Sequence, residues 1–140
     1  MSFLLDTNVL SELRKGPHAH ANVSAWEEST VQSERFTSVI VIAELRKGAL
    51  AKARNDAAGG AALDRWIGRI IANFEDRILP VDLHVAEAWA ALMVPNPRSP
   101  LDTLIAATAH AHGLTLATRN VRDFANCGVV LLDPWSYVQE

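Results

Sequence analysis

Cysteine is nearly absent from this sequence. Cys127 stands alone, so no intramolecular disulfide can form and no thiolate zinc site can be built. An excess of positive charge is lacking too: 13 Lys and Arg face 16 Asp and Glu, for a formal net charge of -3. That balance excludes a protein gripping nucleic acid by bulk charge alone, although local basic residues and a bound cation can offset an acidic site. No apolar run approaches the roughly 20 residues of a membrane span. The opening Met-Ser-Phe-Leu-Leu-Asp has no basic stretch of the kind that begins a signal peptide. No membrane association is expected, and the cytoplasm is the default location. No glycine-rich phosphate loop follows the first apolar run, which removes P-loop and dinucleotide-binding sites. With no internal repeat and no Pro/Gly/Ser-rich linker, residues 1–140 read as one domain of ordinary size.

What is present suffices for a core: 49% of the residues are hydrophobic and 21% charged. Phe3-Leu4-Leu5 is a short apolar strand, followed by a helix over Val9 to Lys15 that stops at Gly16-Pro17. Helices are expected over Asn22 to Glu28 and, capped by Thr37 or Ser38, from there to about Arg54, with a short strand at Phe36. Asn55 to Gly60 reads as a break before an amphipathic helix over Leu63 to Phe74. Ile78 to Val81 reads as an edge strand because of Pro80, and Val85 to Met93 as a helix. Pro95 to Pro100 is a loop, with Ser99 as N-cap and Pro100 opening a helix that reaches His112. Thr115 to Ala117 and Val129 to Leu132 complete the strands. Strands alternating with helices predict an α/β fold with a mainly parallel sheet of four or five short strands flanked by helices. Chemistry in such sheets sits beyond the carboxyl ends of the strands, where Asp6 and Thr118-Arg119-Asn120 fall.

Three acids lie inside apolar sequence: Asp6 after Phe3-Leu4-Leu5, Glu44 within Val39-Ile40-Val41-Ile42-Ala43-Glu44-Leu45, and Asp102 among Leu101, Leu104 and Ile105. Carboxylates withdrawn from water are costly unless compensated, and their convergence would raise their pKa values. A divalent cation removes both costs. Asp6 also has a bland reading as a helix cap, and Asp102 as a partner of free helical N–H groups. Glu44 has no cap role, and a buried pair with an arginine is its structural alternative. Asp123 follows the strand ending at Ala117 and reads either as a fourth acid or as a solvated loop residue. Thr118 is placed to orient an acid through its hydroxyl, or to cap the next turn.

An all-oxygen site suits Mg²⁺, with Mn²⁺ as a substitute, rather than zinc or copper. Such ions align water against a phosphodiester, so the constellation fits a nuclease or a related phosphoryl hydrolase. An aspartyl-nucleophile phosphatase would want an acid where Asn8 stands and a lysine where Arg119 and Arg122 stand. The pairs Arg14-Lys15 and Arg46-Lys47, with Arg119 and Arg122, are candidate contacts to RNA phosphates or ordinary helix-end charges. The five histidines form no ligand set, and the tryptophans read as packing residues.

Four segments in order resemble the motifs of the PIN-domain family: Phe3 to Glu12, Ser38 to Gly48, Leu101 to Ala109, and Leu116 to Phe124. The nearest likeness is to the VapC and FitB-like toxins of bacterial toxin–antitoxin pairs. The resemblance implies a single PIN-like domain and a Mg²⁺-dependent endoribonuclease, held inactive by a VapB-type antitoxin and forming a homodimer. DNA would be reached only indirectly, through the antitoxin. Asp6, Glu44 and Asp102 become metal-site acids by this likeness, with Thr7, Asn8, Thr118 and Asn120 in support. At the fourth position some members carry an acid where Asn120 stands, and here Asp123 follows three residues later; Asn120 is then placed to hold a metal-bound water. The other function is a PIN-like binding module without catalysis, which would have no reason to keep costly acids. Surplus apolar residues on the helices between Val9 and Arg54 mark the expected antitoxin groove.

Overall fold

Phe3–Leu5 forms strand β1, buried along its whole length. Asp6 caps the helix that follows, α1 (Thr7–Leu13). This first helix begins and ends two residues before the span expected from periodicity, because the cap is Asp6 itself and Gly16–His18 forms a 3₁₀ turn. Helix α2 (Ala21–Ser29) leads to β2 (Arg35–Ser38), where the Ser38 hydroxyl accepts the Val41 N–H and starts α3 (Val39–Ala53). Helix α4 (Ala57–Phe74), β3 (Ile78–Leu79), α5 (Leu83–Leu92), α6 (Pro100–Ala111), β4 (Thr115–Ala117) and β5 (Leu131–Leu132) complete the order. The computed structural model describes residues 1–94 and 98–139; residues 95–97 of the loop expected over Pro95 to Pro100 lie outside them.

The five strands form one sheet in the order β3-β2-β1-β4-β5, every pairing parallel. The α/β expectation holds, with both outer strands shortened to two residues. β1 is central and takes β4 as neighbour in the register Phe3↔Thr115, Leu4↔Leu116, Leu5↔Ala117. Helices pair as α3 with α4 and α5 with α6. Leu4, Ile67, Ile105 and Leu116 lie at the fully buried centre, and Trp26 packs edge-on against Phe3.

The break expected over Asn55 to Gly60 is shorter, only residues 54–56 separating α3 from α4. Gly59 and Gly60 lie inside α4, which is capped by Asp56. A Cβ on Gly60 would stand 2.6 Å from the Ala53 Cα, so glycine is needed there for α4 to lie against α3. Among the described residues, no helix is long and apolar enough to cross a membrane.

Candidate active site

Asp6 sits where β1 ends. Its backbone N–H continues the sheet by donating to the Ala117 carbonyl at 3.0 Å. The side chain is 5% exposed, with one oxygen accepting the Thr7 N–H and the other the Thr118 hydroxyl, each at 2.8 Å. Asp6 is thus a cap, yet capping leaves its second oxygen on a different element. Burial raises its pKa, the two hydrogen bonds oppose the rise, and the Asp102 charge adds to it.

Glu44 lies on the second turn of α3, half-buried. Its Oε1 is sealed from solvent and has no hydrogen-bond partner among the described residues. No ion pair to an arginine compensates it among those residues either. Burial raises the Glu44 pKa first, then the charges of Asp6 and Asp102; Thr7 and Lys47 work against the rise. The Thr7 hydroxyl is near enough to ease that charge but outside hydrogen-bonding geometry, and its oxygen is likewise buried and unpartnered. Asp102 occupies the third position of α6, after Ser99 and Pro100, where the helix N-terminus favours negative charge. The chain therefore brings Asp6, Glu44 and Asp102 within each other's electrostatic reach from three separate elements.

Two turns are tied together behind these acids. Thr118 is fully buried, donates to Asp6, and accepts the Asn120 N–H at 3.1 Å and the Asn8 amide at 3.4 Å. The Asn8 carbonyl oxygen accepts the Arg119 N–H at 3.2 Å. Asn120 is connected to Asp6 through one hydroxyl. Asp123 is exposed on the 3₁₀ turn Val121–Phe124, and its charge is not among those acting on Asp6 or Glu44. Instead it lines a cavity that Asp102 also lines.

The basic candidates are dispersed. Arg46 forms an ion pair with Asp64 of α4, and the Arg119 guanidinium lies 5.1 Å from the centre of the Trp135 ring. Arg122 is exposed beside Asp123. Sequence reasoning missed Arg98 and took Ser99 only as a cap, yet both line the cavity between Asp102 and Asp123. The only available signal was a lone arginine between two prolines, just ahead of Asp102.

Among the described residues, no three His, Cys, Asp or Glu side chains are grouped tightly enough to hold a metal by themselves. That suits an ion which takes one or two carboxylates and keeps water and substrate oxygens as its other ligands, as Mg²⁺ does. Two buried oxygens without partners among the described residues, in a field that already raises two carboxyl pKa values, are groups that a divalent cation would compensate.

Comparison with known proteins identifies the family. Residues 3–129 match the PIN domain family. The chain is 36% identical to the VapC ribonuclease Y4jK of Sinorhizobium fredii, over 94% of this chain and 96% of that one. It is also 36% identical to Toxin FitB of Neisseria gonorrhoeae, over 94% of this chain and 97% of that protein. A solved structure of FitAB bound to an IR36 DNA fragment superposes with a TM-score of 0.84 at 33% identity, covering 99% of both chains. With family, relatives and fold in agreement over nearly its full length, the chain belongs to the PIN-domain family.

Proposed function

We propose that the chain is a metal-dependent endoribonuclease, the toxin half of a VapBC-type pair that a protein antitoxin holds inactive. The observation that carries this reading is the buried, unpartnered Glu44 Oε1 in the combined field of Asp6 and Asp102. Its relatives include a protein named as a ribonuclease and one named as a toxin. Mg²⁺ is the proposed cation and Mn²⁺ its substitute, since every donor is oxygen. When bound, it would neutralise charge on the phosphodiester and activate a water for attack.

Asp6, Glu44 and Asp102 are the residues that would hold it. Thr118 fixes the rotamer of Asp6, and Thr7 and Asn8 brace the turn that carries it. Asn120 orients water beside Asp6, while Asp123 acts as the outer, fourth acid from the far wall of the cavity. Arg119 and Arg122 are the exposed cations next to the site for RNA phosphates; Arg46 would first have to leave Asp64. A homodimer working in the cytoplasm completes the proposal. With a net charge of -3, the chain is suited to meet DNA only through its antitoxin, in keeping with the DNA-bound FitAB relative.

The test is cleavage of a mixed cellular RNA pool by the antitoxin-free chain with Mg²⁺ or Mn²⁺, against EDTA, with Asp6→Asn in parallel. Discrete metal-dependent fragments that vanish in Asp6→Asn are expected. Folded protein that takes up no Mn²⁺ and cuts nothing would instead be a PIN-fold binding module.

A further inference from the structure

The cavity between Asp102 and Asp123 serves the proposed chemistry on one wall only. It encloses about 400 Å³, within the range of sites that take small ligands. Phe124 and Cys127, 3% and 6% exposed, give it an apolar floor. Arg98, Ser99 and Asp102 also line it, and Asp102 is the residue it shares with the acid site. Whatever enters therefore lies next to the reacting phosphate.

Arg98 is the telling residue. It is half-buried, and its Nε is sealed from solvent without a partner among the described residues. It lines the same cavity as two carboxylates, yet among the described residues it forms an ion pair with neither. A guanidinium Nε sealed from solvent with its N–H unused is costly unless a ligand completes it. Its fork matches the acceptor edges of bases and the oxygens of phosphates.

We propose that this cavity is the subsite for the nucleotide adjoining the cleaved phosphate. The base lies on the Phe124–Cys127 floor, and Arg98 reads its acceptor edge as the specificity-determining residue. The assignment rests on the ribonuclease reading for its biological sense, but the binding can be tested apart from it.

Amide NMR shifts of the full metal-free chain would be followed during titration with each of the four 5′-mononucleotides and, separately, with inorganic phosphate. Saturable shifts at Ser99, Phe124 and Cys127 are expected with at least one nucleotide. They should weaken about tenfold or more in Arg98→Ala, and partly persist in Arg98→Lys. Shifts that survive unchanged in Arg98→Ala, or that phosphate alone reproduces, overturn the subsite. On a random RNA pool, Arg98→Ala should flatten the base preference at one position flanking the cut and lower kcat/KM about ten- to hundredfold, with Mn²⁺ uptake unchanged. Cut positions and rates identical to wild type would also overturn it. If no variant cleaves RNA while nucleotides still shift the wild-type signals in an Arg98-dependent way, the ribonuclease reading fails and the subsite stands.

Discussion

Arg35 and Arg77 stand where β2 and β3 begin; Asp6, Glu44 and Asp102 gather at the other ends of the strands, around the end of β1. Arg35 gives its guanidinium to the Glu27 and Thr30 carbonyls and the Thr30 hydroxyl, at 2.7–3.2 Å. Arg77 reaches the carbonyls of Gln32, Arg35 and Asn73, each at 2.6 Å, and lies over the Phe74 ring. These cations direct guanidinium N–H groups to backbone carbonyls of several segments, so they act as staples between them. The acids are treated differently. They are buried or half-buried, the Asp102 charge adds to the raised pKa of Asp6 and the charges of both aspartates add to that of Glu44, and a Glu44 oxygen goes without a partner among the described residues. Hydrogen-bond satisfaction, more than charge or burial, separates a group that holds the fold from one that awaits a ligand.

The sharpest way to break this contrast is Asp6→Asn. Nuclease activity should fall by about a thousandfold or more, while the melting temperature without metal holds or rises, because a poorly solvated charge has been removed. A drop in stability comparable to that of a core deletion would mean that Asp6 is chiefly a cap. Arg77→Ala should do the reverse: it costs about 2 kcal/mol of stability through lost charged hydrogen bonds, or roughly 6–10 °C in Tm, and leaves Mn²⁺ uptake per folded molecule intact. Thr118→Val comes next, with a roughly ten- to hundredfold loss of metal affinity or activity because Asp6 loses its orienting donor; Thr118→Ser should recover most of it. Metal titration by calorimetry reads that difference directly.

The smallest effect sharpens the electrostatic side. Because the folded-state pKa values of Asp6 and Glu44 lie above their unfolded values, the metal-free fold is favoured while both carboxyls are protonated. It loses that favour as pH rises from the ordinary carboxylate range through the raised values. Glu12 and Glu34 are shifted the other way by their hydrogen bonds, so their contribution falls as pH falls. Subtracting the pH profile of an Asp6→Asn, Glu44→Gln double variant isolates the site. The wild type should be destabilised relative to that variant as pH rises, and saturating Mg²⁺ should abolish the difference. A flat difference profile would show that the acids do not share one field.

Much of this was written in the order of residues. An acid closing an apolar strand, another mid-helix among Ile and Val, and a third behind Ser-Pro mark Asp6, Glu44 and Asp102 without any coordinates. The parallel sheet followed from alternation, and the paired motifs pointed to the family that the comparisons show. What was misread has a common cause, since propensity is local and packing is not. Gly59 and Gly60 looked like a break, yet Gly60 is a close-approach residue in mid-helix. β3 ends early and β5 starts late, each having a single neighbour to pair with. Arg98 carried no periodic signal at all, and its importance exists only once residues 102 and 123 are brought to one cavity.

The pairing of β1 with β4 also sets a schedule. Asp6 takes its backbone partner from Ala117 and its side-chain donor from Thr118, residues 111 and 112 positions later in the chain. Until that stretch has been synthesised, the central strand has one open edge and Asp6 lacks its hydrogen bonds to Ala117 and Thr118. The acid site is thus among the last features a growing polypeptide can assemble, and an unfinished chain is a disarmed one.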